Sequence, residues 1–340
     1  MSNKNLLSGR DKELQELAEQ YEAAMAENKP FYQDADELAD LADWYGTKKR
    51  YDKAFEIAEY GLKLHPDSTE LMIEYAYLHL DNGKKAKARE IIENLPDTYS
   101  PEAKVVRAHL LLSEGKLDDA EQLLDTIEDK ADLANVVDVS YMYLDMGYPD
   151  KALAWLDPVK EEYSDEEAYI AVVADCLYGK GMTEEAIPLY NRLIDMNPYS
   201  APYWFGLARC HFEEMNFNQA IDACDYALVG DDEFADAYVM KGHCFYQLGN
   251  EDAALEYYQK AEELHGLAPE FIYTYIGLCK VSKGEWKEGY ENLEKAILEN
   301  ETDEIASPIL PSLYANAGLC LSKMGKKRKA HQYCKKAHKL

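Results

Sequence analysis

No run in this 340-residue chain approaches ~18 consecutive apolar residues, so the sequence offers no membrane-spanning helix. The stretch Met1–Arg10 places no apolar core behind Lys4, so no secretory signal is read there; a tail over 1–10 and a cytoplasmic location are expected. Positive charge is scarce: 36 Lys and Arg stand against 65 Asp and Glu, giving a formal charge of -29. A field of that sign repels nucleic acid and anionic membrane. It would attract a basic partner, although the same charge also serves solubility alone. Proline is limited to 12 residues, which speaks against a disordered or fibrous chain. HExxH, GxxxxGKS/T, GxSxG and a dinucleotide fingerprint are all missing. Accordingly, no catalysis, cofactor or metal is expected.

What the chain does have is a period. Trp204, Leu207, Ala208, His211, Phe217, Ala220, Cys224 and Ala227 recur 34 residues later as Tyr238, Lys241, Gly242, Phe245, Glu251, Ala254, Tyr258 and Ala261. A small residue marks each unit at Ala54, Ala88, Ala120, Ala152, Ala186, Ala220, Ala254, Gly289 and Ala330. A second lies twelve residues earlier, at Ala42, Ala76, Ala108, Ser140, Ala174, Ala208, Gly242, Gly277 and Gly318. Two small residues in fixed register let antiparallel helices approach closely, where a larger side chain would separate them. A glycine usually falls between the marks (Gly83, Gly115, Gly147, Gly181, Gly249, Gly284, Gly325), as suits the left-handed end of a helix. The first unit has none there, although Gly46 lies nearby. Two middle steps are only 32 residues long, predicting a trimmed loop or helix end. Near 300–311 the connection lengthens and contains Pro308 and Pro311, predicting an extended loop or a helix broken by proline.

This register resembles the tetratricopeptide repeat over about residues 35–340. The resemblance implies an all-α fold, an α-α superhelix (solenoid) of about nine helix-turn-helix repeats. First helices would line a concave wall and second helices face outward. Residues 11–34, with Leu14, Leu17, Ala18, Tyr21 and Met25 on one stripe, would form an N-terminal capping helix.

The seven cysteines form no CxxC pair, which structural zinc sites usually show. Cys176, Cys210, Cys244, Cys279 and Cys320 share one repeat position, so successive copies would stand about 10 Å apart, beyond disulfide reach. Cys224 and Cys334 share another, and all seven are read as small buried hydrophobes.

Mapped on the first helices, Tyr77, His109, Tyr141, Asp175, Arg209 and His243 occupy one equivalent position. Three residues later come Leu80, Leu112, Leu144, Tyr178, Phe212 and Tyr246. From these rows Tyr77, His109, Tyr141, Tyr178, Arg209, Phe212, His243 and Tyr246 are the candidate partner-binding wall, with Tyr77 and Tyr141 expected exposed. His79 and His211 are read as core or near-core. Some family members grip a partner's C-terminal carboxylate with Lys, Asn and Arg. The corresponding positions here hold Ala39, Asp43, Ile73, Tyr77 and Val105, so that clamp is not expected. The reading is a nonenzymatic module that binds a protein or peptide, with a basic segment suited to the acidic surface. A structural homo-oligomer assembling through terminal or outer-face contacts is the alternative: residues 11–43 carry eleven acidic and two basic side chains, while Lys323–Lys339 carries eight basic and none acidic. An enzyme or small-molecule binder with a noncanonical groove site ranks last.

Overall fold

The structure, a computed structural model, describes residues 11–264, 269–301 and 308–339. The expected tail at 1–10 and residues 302–307 of the long connection lie outside them. The chain divides into two units, Met1–Pro198 and Tyr199–Leu340.

In the first unit α1 (Asp11–Ala26) precedes five helical hairpins. These are α2–α3 (Ala35–Thr47, Tyr51–Leu64), α4–α5 (Thr69–Asp81, Lys85–Glu93) and α6–α7 (Pro101–Ser113, Leu117–Leu124). Next comes α8–α9 (Leu133–Asp145, Pro149–Leu156), prolonged by a 3-10 turn and the single-turn α10 (Lys160–Tyr163), and then α11–α12 (Glu167–Gly179, Thr183–Met196). The second unit holds α13–α14 (Ala201–Glu213, Phe217–Gly230), α15–α16 (Ala235–Gln247, Glu251–Glu263), α17–α18 (Pro269–Ser282, Trp286–Glu301) and α19–α20 (Leu310–Lys323, Lys327–Lys339). Every regular element among the described residues is helical, and the fold is an α-α solenoid of tetratricopeptide type. No helix among the described residues is long and apolar enough to cross a membrane.

The two small-residue marks meet within each hairpin. Ala42, Ala76, Ala108, Ser140, Ala174 and Ala208 on first helices are inaccessible, as are Ala54, Ala88, Ala120, Ala152, Ala186, Ala220 and Ala254 on second helices. Ser140 donates its hydroxyl to the Ala152 carbonyl at 3.3 Å, tying one mark to the other. A Cβ at Gly289 would stand 3.4 Å from the Gly277 carbonyl oxygen, so backbone there lies almost against backbone. Side-chain caps start several helices: Ser68 accepts from the Leu71 N–H, Ser100 from Ala103 and Asp132 from Asn135. Helix α1 lies on the first hairpin, with Tyr21 edge-on to Phe31 and Tyr60 and its hydroxyl on Glu56 at 3.1 Å.

All seven turn glycines have positive φ, between 69° and 78°. The two hairpins without glycine keep the conformation. Lys49 (φ 59°) and Met215 (φ 58°) take the same register position, five residues before Ala54 and Ala220. Trimming falls on second helices: α5 and α7 stop after 9 and 8 residues, where α3 runs for 14. Helix α18 extends to 16 residues, and Pro311 sits in the first turn of α19, where a missing N–H leaves no helical bond unmade.

One expectation about the thiols is corrected. Six cysteines are buried, but Cys334 on α20 is exposed even though its Sγ lies toward Gly318 of α19, 3.1 Å from where a Cβ would stand there, because no described helix packs over α20 at that point.

Two substitutions test the register. Ala220→Leu should destabilise the protein by roughly 1–3 kcal/mol through overpacking, read from urea unfolding; a neutral result would refute the register at α13–α14. Met215→Gly should stabilise it by up to about 1 kcal/mol, because the side chain is 75% exposed and only glycine is at ease with that φ.

Candidate functional site

Each first helix presents one side chain immediately after its small residue. In the first unit these are Asp43, Tyr77, His109, Tyr141 and Asp175. Tyr77 and Tyr141, expected exposed, are instead buried, at 8% and 9% exposure. Neighbouring hairpins bring these side chains onto one another. The Tyr77 and His109 rings stand 5.7 Å apart. Tyr141 donates to Asp175 at 3.4 Å, and Tyr190, from the second helix of the same hairpin as Asp175, donates to it at 2.7 Å. Burial also pushes the His109 pKa down to about 4. These residues fasten one hairpin to the next and present little surface. Tyr178 stays half-buried in α11. His79, as expected, is buried, against Phe55 and Tyr75.

In the second unit the same two rows build a recess. Phe212 from α13, His243, Tyr246 and Gln247 from α15, and Tyr275 and Leu278 from α17 surround a pocket of about 280 Å³. Tyr258, from α16, closes its floor at 1% exposure. Three of the eight residues proposed from sequence, Phe212, His243 and Tyr246, therefore converge. Arg209 is not among the lining residues; its guanidinium lies over the Phe205 ring, 5.7 Å from the centroid.

The local cause is Gly242. A Cβ there would stand 2.5 Å from Cε1 of Tyr258, so only glycine lets this tyrosine lie across α15. From that position the Tyr258 hydroxyl is 2.8 Å from Nδ1 of His243. Tyr275 stacks on Tyr258 at 5.1 Å and meets the His243 ring edge-on at 4.4 Å. Burial pushes the His243 pKa down to about 4, so the imidazole is neutral at pH 7. Beneath the neighbouring face, Lys241 is buried, pairs with Asp225 at 2.5 Å and sits 4.2 Å from the Tyr257 centroid. A neutral imidazole and the Tyr246 hydroxyl, set among four rings, suit an apolar side chain flanked by polar backbone.

Sequence reasoning missed Tyr258 and Tyr275. The signal available was Gly242, where six earlier repeats carry Ala or Ser; it marks the hairpin whose second helix brings a ring against the first.

Comparison with known proteins bears on the whole chain. Residues 47–108 and 311–340 match families described as tetratricopeptide repeat, and residues 179–261 match the family described as anaphase-promoting complex, cyclosome, subunit 3. No curated protein matches the chain. Similar solved structures include the APC/C hetero-tetramer Cut9–Hcn1, at 18% identity over 96% of this chain and 73% of that one, with a TM-score of 0.52. A tetratricopeptide repeat protein from Parabacteroides merdae aligns at 18% identity over 72% of this chain and 98% of its own, with a TM-score of 0.50. The human IFIT1 dimer with PPP-AAAA aligns at 13% identity over 98% and 95%, with a TM-score of 0.51. At these identities the likeness is one of fold. Together with the hairpin register, the matches at 47–108 and 311–340 show that this chain carries tetratricopeptide repeats.

The pocket histidine yields a pH prediction. Neutral when folded and protonating near 6.5 when unfolded, His243 stabilises the protein fully above pH 6.5 and progressively less as pH falls toward about 4. No charged side chain lines the pocket to offset this. His243→Gln should therefore lose less stability than wild type between pH 7 and pH ~4, by up to roughly 3 kcal/mol in urea unfolding. Parallel losses in the two proteins would show that the imidazole is not held neutral.

Proposed function

We propose that this tetratricopeptide-repeat protein is a nonenzymatic scaffold that holds a segment of another protein, anchored in the aromatic pocket of its second unit. The observation that carries this reading is the convergence of Phe212, His243, Tyr246, Tyr275 and Leu278, from three successive first helices, on one recess. Aromatic side chains supply contact area at small entropic cost, and such clusters dominate the energy of many interfaces. A bulky apolar residue of an extended segment would fill the recess. Its neighbouring backbone would find hydrogen-bonding groups at Gln247 and the tyrosine hydroxyl. The chain's charge of -29 steers against nucleic acid and toward partners with basic surface. The match of 179–261 to a family described as a subunit of a complex agrees with a place in an assembly.

Self-association through the ends is the second reading, on the contrast between the acidic first helices and the basic α20. Part of that basic surface is already engaged within the second unit: Lys329 pairs with Glu294 at 3.1 Å, and Lys336 donates to the Tyr314 hydroxyl at 2.8 Å.

A pull-down from native extract, comparing wild type with a Tyr246→Ala, Leu278→Ala chain of unchanged helicity and melting temperature, tests the proposal. A partner held by wild type and released by the variant is expected. Identical partners on both would move binding away from the pocket, and recovery of the chain alone, weakened by salt, would favour self-association.

A further inference from the structure

The aromatic pocket of the second unit holds a hydrogen-bond donor whose identity is fixed by its neighbour. The Tyr258 hydroxyl belongs to a side chain only 1% exposed, and His243 Nδ1, at 2.8 Å, is its one hydrogen-bond partner among the described residues. Were the imidazole to carry its hydrogen on Nδ1, the buried hydroxyl hydrogen would have no acceptor, and an unmet buried donor costs more than a hydrogen bond returns. The hydroxyl therefore donates to Nδ1, and the neutral ring carries its hydrogen on Nε2. Nε2 makes no hydrogen bond among the described residues, and His243 lines the pocket. Whatever enters must bring an acceptor for this N–H. No Asp, Glu, Lys or Arg lines the pocket, so a carboxylate would enter without a counter-charge. A carbonyl meets both conditions.

The spacing of the lining selects the backbone that carries the carbonyl. Phe212 of α13 and Tyr246 of α15 hold one register position, and His243 of α15 and Leu278 of α17 hold another. Equivalent side chains therefore stand one inter-helix step apart, about 8–10 Å. A polyproline II segment presents the same face every three residues, about 9 Å along its axis. A β-strand repeats its face at about 7 Å and falls out of step, and an α-helix engages its carbonyls internally. Polyproline II leaves its carbonyls free, and where its residues are prolines it has no N–H to satisfy. The walls suit a pyrrolidine ring: Tyr275 stacks on Tyr258 at 5.1 Å, and the Phe212 ring stands 6.2 Å from that of His243.

We propose that the pocket recognises a proline-rich segment of a partner protein in the polyproline II conformation, with His243 Nε2–H donating to one of its carbonyls. Tyr258 is the positioning residue that holds the imidazole in that tautomer. This rests on the reading of the pocket as the anchor of a protein segment, and it names the class of that segment.

Fluorescence anisotropy with the full chain tests it, using a labelled oligoproline and a labelled glycine–serine peptide of equal length carrying spaced leucines. The oligoproline should bind at least about tenfold more tightly, because its conformation is set before binding. His243→Phe keeps a ring, removes the donor and should weaken oligoproline binding about tenfold. His243→Gln returns an N–H to that place and should recover most of the affinity. Nitrogen NMR of the imidazole should show the hydrogen on Nε2 in wild type and shared between both nitrogens in Tyr258→Phe; a purely structural role for Tyr258 would leave that spectrum unchanged. A hydrogen on Nδ1 in wild type would overturn the donor. Equal affinity for the leucine peptide would overturn the proline class while leaving the pocket an anchor for segments. Oligoproline binding that survives both His243→Phe and the Tyr246→Ala, Leu278→Ala pair would place the site elsewhere and overturn the proposal. Binding of neither peptide would overturn it as well, and the pull-down would then decide separately whether the pocket holds a segment at all.

Discussion

The close approach of two helix backbones within each hairpin is the constraint on which everything else depends. It is set by two residues twelve apart, one on each helix, both Ala, Gly or Ser. Where the pair is Gly277 and Gly289, the main chains themselves are in near contact; where it is Ser140 and Ala152, a hydroxyl bridges them. Once this contact is fixed, the first-helix position one residue further on is directed toward the neighbouring first helix. The same geometry therefore produces a tyrosine–histidine contact at Tyr77 and His109, a carboxylate shared by two tyrosines at Asp175, and a buried acid at Asp43.

How far this could be read in the sequence follows from the range of each interaction. The hairpins, their turns and the buried cysteine row depend on residues within about one repeat, and the period makes them legible. The left-handed turn at Lys49 and Met215 was hidden because their side chains carry no sign of φ; only their register, five before the second mark, gives them away. The burial of Tyr77 and Tyr141 was misjudged because it is decided by the adjacent hairpin, and a row position looks outward until the next helix is laid beside it. Tyr258 was missed for the converse reason. It belongs to a second helix, yet Gly242 removes the one atom that would keep its ring off the first. An acidic recess between the first helices α2, α4 and α6 was visible only as composition, a surplus of carboxylates over 11–43. Sequence could not say that these helices would aim them at one volume.

Cations lie over rings in both units, as the Arg50 guanidinium does over Tyr45 at 5.0 Å in the first. In the second, cations are spread over rings: Lys241 over Tyr257 at 4.2 Å, Lys336 over Tyr314 at 4.7 Å and Lys323 over Trp286 at 5.6 Å. Such contacts leave the charge in place while covering its aliphatic stem, so aromatic surface and basic surface become one. The pocket itself is kept free of charge, and the low pKa of His243 is the cost of closing rings around a titratable group. In the first unit acidic side chains of α2 and α4 meet in a recess of about 480 Å³ instead, whose lining among the described residues holds neither an aromatic ring nor a Lys or Arg.

A fold that needs only small residues at two positions per repeat leaves its row positions available for features that do not help it stand. Glu74, buried on α4, is such a feature. An apolar side chain at this buried place would pack without desolvating a carboxyl, and a glutamine would at least escape repulsion by Asp43. Retaining a buried acid beside another acid lowers the stability of the free protein, and no hydrogen bond among the described residues relieves Oε1. His243 differs in this respect, since its burden is met within the pocket by the Tyr258 hydroxyl. The histidine is thus satisfied within its own pocket, whereas no side chain or backbone group among the described residues gives the glutamate oxygen a hydrogen bond, and the two units bury a titratable group at unequal cost.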